Sequence, residues 1–242
     1  MKKRLAGLLA LLLAASLCGC GTGAEDYVLV RETWYSDDGS LGSRCNYGYD
    51  SDGNCTYILT ENFYNGTVTD SYEQIITYNE SGYPAEITTR DLQDETSDTV
   101  AYEYDGDMLP LSSGTTSVEY DASSELVHIT WDDGDAVYKY LKGDSIHKAE
   151  PGNLFPNLLL LTQTINKENP DFPAIIWEYD GEGKLIEQTL QNDDGIVAFK
   201  SEYEYEYNEE GLPVKQIQYS DGEYAGYSER EYLLLSDYLK NS

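Results

Sequence analysis

Apolar and polar residues alternate with a period of two along most of this chain, and the pattern is clearest in residues 203–218, YEYEYNEEGLPVKQIQ. Tyr203, Tyr205 and Tyr207 fall on one face of a strand, and Glu202, Glu204 and Glu206 fall on the other. Asn208, Glu209, Glu210 and Gly211 then interrupt the alternation. An Asx residue opens a type I turn through its side chain, and a glycine supplies the left-handed residue that closes a bulged hairpin. With 208–211 as the loop, Tyr207 faces Leu212, Tyr205 faces Val214, and Glu204 sits opposite Lys215 as a cross-strand charge pair.

The same unit recurs as YGYDSDG at 47–53, YNESG at 78–82, YEYD at 102–105, Tyr120-Asp121, and YDGEG at 179–183. Further turn signals stand at Ser36-Asp37-Asp38-Gly39, Asn65-Gly66, Asp132-Asp133-Gly134, 192–195 and Asp221-Gly222. Strands punctuated at short intervals predict antiparallel hairpins. The interval from Tyr49 to Tyr78 is 29 residues and that from Tyr179 to Tyr207 is 28, with irregular spacing between, so the repeat is degenerate.

One stretch departs from the pattern. Residues 151–173, PGNLFPNLLLLTQTINKENPDFP, show no alternation, and four leucines run between Pro156 and Pro170. A short helix beginning near Asn157 is the expectation there. The predicted fold is therefore all-β and mainly antiparallel. It is a meander of hairpins forming extended, curved, partly single-layer sheets, with one short helix near 156–166. The expected organisation is an N-terminal β-meander over 27–150, a Pro/Leu-rich joint over 151–173 and C-terminal β-hairpin repeats over 174–242.

The first residues carry an address. Lys2, Lys3 and Arg4 precede an apolar run, 5–17, that is too short to span a bilayer. Leu17-Cys18-Gly19-Cys20 follows and resembles a bacterial lipoprotein signal, in which the final cysteine is lipidated. The resemblance makes 1–19 the signal peptide, Cys20 the lipid attachment site and 20–26 a tether. It implies an extracytoplasmic protein held to the bacterial cell membrane through its lipid alone.

Charge narrows the partners. The chain has 15 Lys and Arg against 45 Asp and Glu, a net charge of −30. Loss of residues 1–19 would leave 223 residues with 12 basic side chains and a net charge of −33. Nucleic acid and anionic lipid surfaces repel such a chain. Tyrosine dominates the aromatic residues, 23 against 4 Phe and 3 Trp, and its hydroxyl tolerates half-exposure, as partly covered sheets require.

Catalytic signatures are missing from the sequence. It has no H-E-x-x-H pair, no phosphate-binding glycine loop and no G-x-S-x-G elbow. Of its two histidines, His128 lies in the strand-like run LVHITW, and His147 follows it. Asp50, Asp52, Asn54, Thr56 and Glu61 match the ligand spacing of a calcium loop, but Cys55 stands where that loop needs glycine, and the segment reads as a hairpin turn. Cys45 and Cys55 form an even pair in an exported chain, which leaves a disulfide open. A turn over 50–53 argues against it, placing Cys55 opposite Gly48 with Cys45 on the other face.

The Tyr-Asp-x-x-Gly units, together with GNLFPNLLLL, KENP and IIWEYDGEGKLIE, resemble YD-repeat-like domains of bacterial surface lipoproteins, over most of residues 47–235. That resemblance implies an all-β surface protein and brings no catalytic residue and no cofactor. The expected function is a non-catalytic, surface-anchored lipoprotein that binds an extracellular ligand such as a glycan, with Trp131, Trp177 and Tyr179 as candidate stacking residues. The alternative is a structural or protein–protein interaction component of a cell-surface assembly.

Overall fold

Period-two alternation becomes antiparallel strands laid down in chain order. The computed structural model describes residues 27–104, 110–113, 116–121, 126–131, 134–141, 160–165, 174–180, 184–191 and 195–241. Two units pack internally: Gly21–Tyr102 with Glu202–Ser242, and Glu103–Ser201. Of the expected joint at 151–173, only 160–165 lies among the described residues.

The first unit holds β1 (Tyr27–Ser36), β2 (Leu41–Tyr49), β3 (Cys55–Tyr64), β4 (Thr67–Tyr78), β5 (Pro84–Asp91) and most of β6 (Thr96–Tyr104). The end of the chain adds β15 (Pro213–Ser220), β16 (Glu223–Leu234) and a short helix, α1 (Leu235–Asn241). Consecutive strands pair as hairpins, and β16 lies antiparallel along β1, with Tyr27 opposite Leu234 and Ser36 opposite Gly226.

The second unit runs through β7 (Pro110–Ser113), β8 (Thr116–Asp121), β9 (Leu126–Trp131), β10 (Gly134–Leu141), β11 (Leu160–Ile165), β12 (Ala174–Tyr179) and β13 (Leu185–Gln191). Its neighbours are again antiparallel and in chain order. Strand β14 (Val197–Tyr207) begins in this unit and ends in the first. The fold is thus an all-β antiparallel hairpin meander.

The helix expected within 156–166 is corrected. Residues 160–165 form β11, which pairs with β10 on one side and β12 on the other. A short apolar run fits a buried strand as well as a helix, and the β-branched Thr162, Thr164 and Ile165 favour the strand once neighbours supply a ladder. Residues 156–159 lie outside the described set. Among the described residues the helix is α1, with Asp237 in its first turn and Lys240 in its last, matched to the helix dipole.

The Tyr-Asx turns share one geometry. Asn79 N–H donates to the Tyr83 carbonyl, Gly82 N–H donates to the Asn79 carbonyl, and the Asn79 side chain accepts the Tyr83 amide at 3.0 Å. Asp50 and Asn208 do the same with Asn54 and Leu212, and Asp180 exchanges the corresponding amide and side-chain bonds with Lys184. The loop therefore closes one residue later than the sequence reading has it. Tyr49 faces Cys55, Tyr78 faces Pro84 and Tyr179 faces Leu185, each with a bulge just beyond. Gly53, Gly82 and Gly211 have positive φ, 79° at Gly211, a region open to glycine and costly for β-branched residues.

In the first unit, the up-and-down order brings the Asp50, Asn79 and Asn208 turns to the same end of the sheet. Beside them lies the apolar core, which contains Val28, Leu29, Cys55, Ile58, Ile76 and Ile87, with Ile76 directly opposite Ile87. Each such buried aliphatic side chain contributes roughly 1.5–3 kcal/mol. The turn tyrosines tie neighbouring hairpins together. Tyr49 Oη donates to the Leu29 carbonyl at 2.7 Å and Tyr78 Oη to the Cys55 carbonyl at 2.6 Å. Helix α1 packs at the same end, with the Tyr238 ring edge-on to Tyr49 at 5.7 Å.

Further along the buried face the core turns polar. Gln216 pairs with Ser228, Ser228 with Trp34, and Arg230 with Glu32. Gln216 is 2% exposed and finds its polar partner on β14, donating to Tyr205 Oη at 3.0 Å. The indole of Trp34 lies between two glycines: a Cβ on Gly42 would come within 2.7 Å of it and one on Gly226 within 2.8 Å.

Cys45 and Cys55 are both free thiols. Cys55 stands opposite Tyr49 rather than Gly48, and Cys45 stands opposite Thr60. Because the turn is one residue longer than expected, the two share a face, but at separate ladder positions. Burial pushes the Cys55 thiol up to about 12 and also raises that of Cys45.

Candidate functional site

The face opposite the polar core carries the tyrosines that no internal contact fully covers. Alternation along β15 turns Lys215, Ile217 and Tyr219 to this outer side. Their partners on β16 are Glu229, Tyr227 and Tyr224, and Tyr227 in turn faces Tyr35 of β1. A bulge at Gln218/Tyr219 brings Tyr224 level with Tyr219.

Two aromatic pairs result. Tyr35 and Tyr227 stack, with ring centroids 4.9 Å apart and planes 20° from parallel. Tyr219 and Tyr224 meet edge-to-face at 6.3 Å and 71°. Tyr224 is 43% exposed.

Charges are interleaved with the rings. The Lys215 ammonium lies 4.7 Å over the centre of Tyr227 and 3.5 Å from Glu206 Oε1. Tyr219 Oη donates to Glu204 Oε2 at 3.4 Å. The Glu204 charge, aided by desolvation, pushes the Tyr219 phenol above its ordinary value. Desolvation and then the Glu229 charge do the same for Tyr227, with Lys215 opposing.

These contacts correct the predicted register of the β14–β15 hairpin. Lys215 pairs with Glu206, not Glu204, and the backbone bonds join Leu212 to Asn208 rather than setting it against Tyr207. The reading of opposite faces on β14 holds: Tyr205 reaches inward to Gln216, and Glu204 and Glu206 reach outward.

The residues singled out from sequence lie elsewhere. Cys20 lies outside the described residues. Trp131 ends β9 opposite Gly134, and its side chain also lies outside the described set. Trp177, on β12 opposite Gln188, is 9% exposed and offers little ring surface to a ligand. Tyr179 is half-buried opposite Leu185. Sequence reasoning missed Tyr35, Tyr219, Tyr224 and Tyr227, because 23 similar tyrosines give no sign of which will share a surface.

Among the described residues no group of three or more His, Cys, Asp or Glu side chains is placed to hold a metal ion. The calcium-like spacing at 50–61 is used otherwise. Asp50 Oδ1 accepts the amides of Asp52 and Asn54, and Oδ2 accepts the Asn54 side chain at 2.9 Å. Burial tends to raise the Asp50 carboxyl, but these bonds outweigh it and leave it lowered. His128 sits within β9, opposite Glu119 and Val137, as its strand-like surroundings indicated; His147 lies outside the described residues.

No protein-family model matches this chain, and no curated protein matches it. Among solved structures it is similar to a porin-like protein from Bacteroides uniformis, at 12% identity and a TM-score of 0.39, over 88% of this chain and 99% of that one. It is also similar to a putative outer membrane lipoprotein-sorting protein domain from Vibrio parahaemolyticus, at 8% identity and 0.34, over 96% of each. A third likeness, to TcdB2-TccC3-TEV at 14% identity and 0.29, covers 80% of this chain and 11% of that one. At such scores none of them assigns a family or a function to this chain. No described helix is long and apolar enough to cross a membrane.

Proposed function

We propose that this protein is a YD-repeat-like bacterial lipoprotein, held outside the cytoplasmic membrane by a lipid on Cys20, which binds an extracellular glycan without catalysing a reaction on it. The observation that carries the reading is the outer tyrosine surface of β1, β15 and β16, where Tyr35–Tyr227 and Tyr219–Tyr224 stand beside Glu204 and Lys215. Sugar rings present C–H faces that pack on aromatic rings, while their hydroxyls need carboxylates and other polar groups nearby. Trp177 and Tyr179 are secondary candidates, since the first is buried.

The anchor is tested by metabolic lipid labelling of the wild type and Cys20→Ala, with label expected only in the former. Binding is tested on immobilised glycans with the wild type and a Tyr35→Ala/Tyr224→Ala variant. Retention by at least one glycan, reduced in the variant, supports the reading; no retention by any glycan overturns it.

A second reading, a protein-interaction component of a surface assembly, is favoured by the exposed apolar side chains Ile186, Ile196, Val197 and Phe199. Cross-linking on intact cells followed by identification of adducts lost on Phe199→Ser separates it from the first.

A further inference from the structure

We infer that the glycan bound by this face carries free amino groups, and that Glu204, Tyr219 and Tyr224 form the notch that receives one of them; the inference rests on the glycan-binding reading above. It starts from how this surface treats its own cations. The Lys215 ammonium has an aromatic face beneath it, Tyr227 at 4.7 Å, and a carboxylate beside it, Glu206 at 3.5 Å. Arg44 repeats the arrangement, 5.3 Å over Phe63 and 3.9 Å from Glu61. An aromatic ring and a carboxylate together are what a cation needs at an exposed site, because each alone attracts it only weakly through water.

The notch has the same two components. Glu204 and Tyr219 are linked at 3.4 Å, and Tyr224 meets Tyr219 edge-to-face, which leaves ring surface turned outward. No described Lys or Arg pairs with Glu204 or lies over either ring. Four residues along β15 from Lys215, at Tyr219, the surface thus offers a cation site of its own kind with no described Lys or Arg in it.

Charge then selects among glycans. A chain of net charge −30 repels uronic and sialic acids. A neutral sugar gains stacking but nothing from the Glu204 charge. A protonated amino sugar gains both, and the adjacent Tyr35–Tyr227 stack extends the aromatic surface along the sheet for the next ring.

The test measures binding of the full chain to three tetrasaccharides in mildly acidic buffer: a glucosamine tetramer, its fully N-acetylated form and a neutral glucose tetramer. A lysine pentapeptide serves as a fourth probe. The glucosamine tetramer is expected to bind most tightly, more weakly as salt is raised, and about fivefold more weakly to Glu204→Gln, in line with an exposed ion pair. Glu204 is exposed, so that variant is expected to keep its fold, and circular dichroism is the check. Equal binding of all three sugars, or no effect of Glu204→Gln, overturns the inference while leaving the glycan reading in place. Binding of the lysine peptide as tight as that of the glucosamine tetramer also overturns it, since the notch would then read an ammonium without a sugar. Binding of no tetrasaccharide removes the glycan reading and the inference with it.

Discussion

Arg230 Nε donates to Glu32 Oε1 at 2.9 Å across the β16–β1 ladder, joining two residues 198 positions apart in the chain. The Arg230 side chain is wholly buried and that of Glu32 is 17% exposed. Ser228 Oγ donates to the same oxygen, also at 2.9 Å, and Tyr205 lies 6.0 Å from the guanidinium. One strand position away, Arg31 pairs with Glu231 at 3.2 Å on the opposite, solvated face. The same two strands therefore hold a buried and an exposed ion pair side by side.

Those two pairs differ in what their loss costs. Glu32→Ala leaves a buried guanidinium without its carboxylate and is expected to destabilise by about 3 kcal/mol. Arg31→Ala breaks a pair that water already screens and is expected to cost at most about 1 kcal/mol. Urea unfolding of the two variants beside the wild type decides the matter, and equal midpoints would show that Arg230 gains little from its place in the core.

The β14–β15 hairpin can be dissected by its charges. A double-mutant cycle between Lys215 and Glu206 is expected to give a favourable coupling of a few tenths of a kcal/mol, and one between Lys215 and Glu204 a coupling near zero. Gly211→Val should cost at least about 1 kcal/mol, because φ is 79° there. Asn208→Ala should cost about 1 kcal/mol through the lost bond from the Leu212 amide at 2.8 Å. A dominant Glu204–Lys215 coupling would restore the shorter turn.

The hydroxyls of Tyr49 and Tyr78 bond carbonyls of adjacent strands, so Tyr49→Phe and Tyr78→Phe should each cost about 1 kcal/mol while leaving the ring packing unchanged. Hydrogen exchange is expected to quicken in the two hairpins concerned before global unfolding does. Variants as stable as the wild type would show that water replaces these bonds without loss.

Stability should also fall in alkali. The Cys55 thiol is raised from 9.0 to about 12 by burial, so the folded state holds the proton that the unfolded chain releases. The stabilisation this gives is complete below about pH 9 and is lost as pH rises toward 12. Cys55→Ala should flatten that alkaline slope. A thiol reagent at neutral pH should leave Cys55 unmodified until denaturant is added, and reducing agent should not shift the unfolding midpoint. Rapid labelling of native Cys55 would contradict its burial.

Gly226 lies where any side chain is refused, with φ 139° and the Tyr35 carbonyl and Trp34 indole against the position a Cβ would take. Gly226→Ala is therefore expected to destabilise by more than 1 kcal/mol, well above the cost of Gly66→Ala. At Gly66 no atom lies within 4 Å of the added Cβ, so only its positive φ of 74° resists the change. Thermal unfolding of the two alanine variants would test the ranking.

Strand type, hairpin order and the two faces of β14 were set by local chemistry alone. A period of two needs no distant partner, and Asx and Gly fix a turn within five residues. What local chemistry left open was the count inside each turn: a four-residue and a five-residue closure use the same residues, and only the bonds from Asn208 to Leu212 distinguish them. It also left open the strand at 160–165, since a leucine run becomes helix or strand according to whether β10 and β12 offer it a ladder. The pairing of β1 with β16 depends on contacts almost a whole chain apart, and no local pattern encodes it. That pairing buries Arg230 against Glu32 and lines up Tyr35 with Tyr227, so the polar core and the outer tyrosine surface exist only once the two ends of the chain have met.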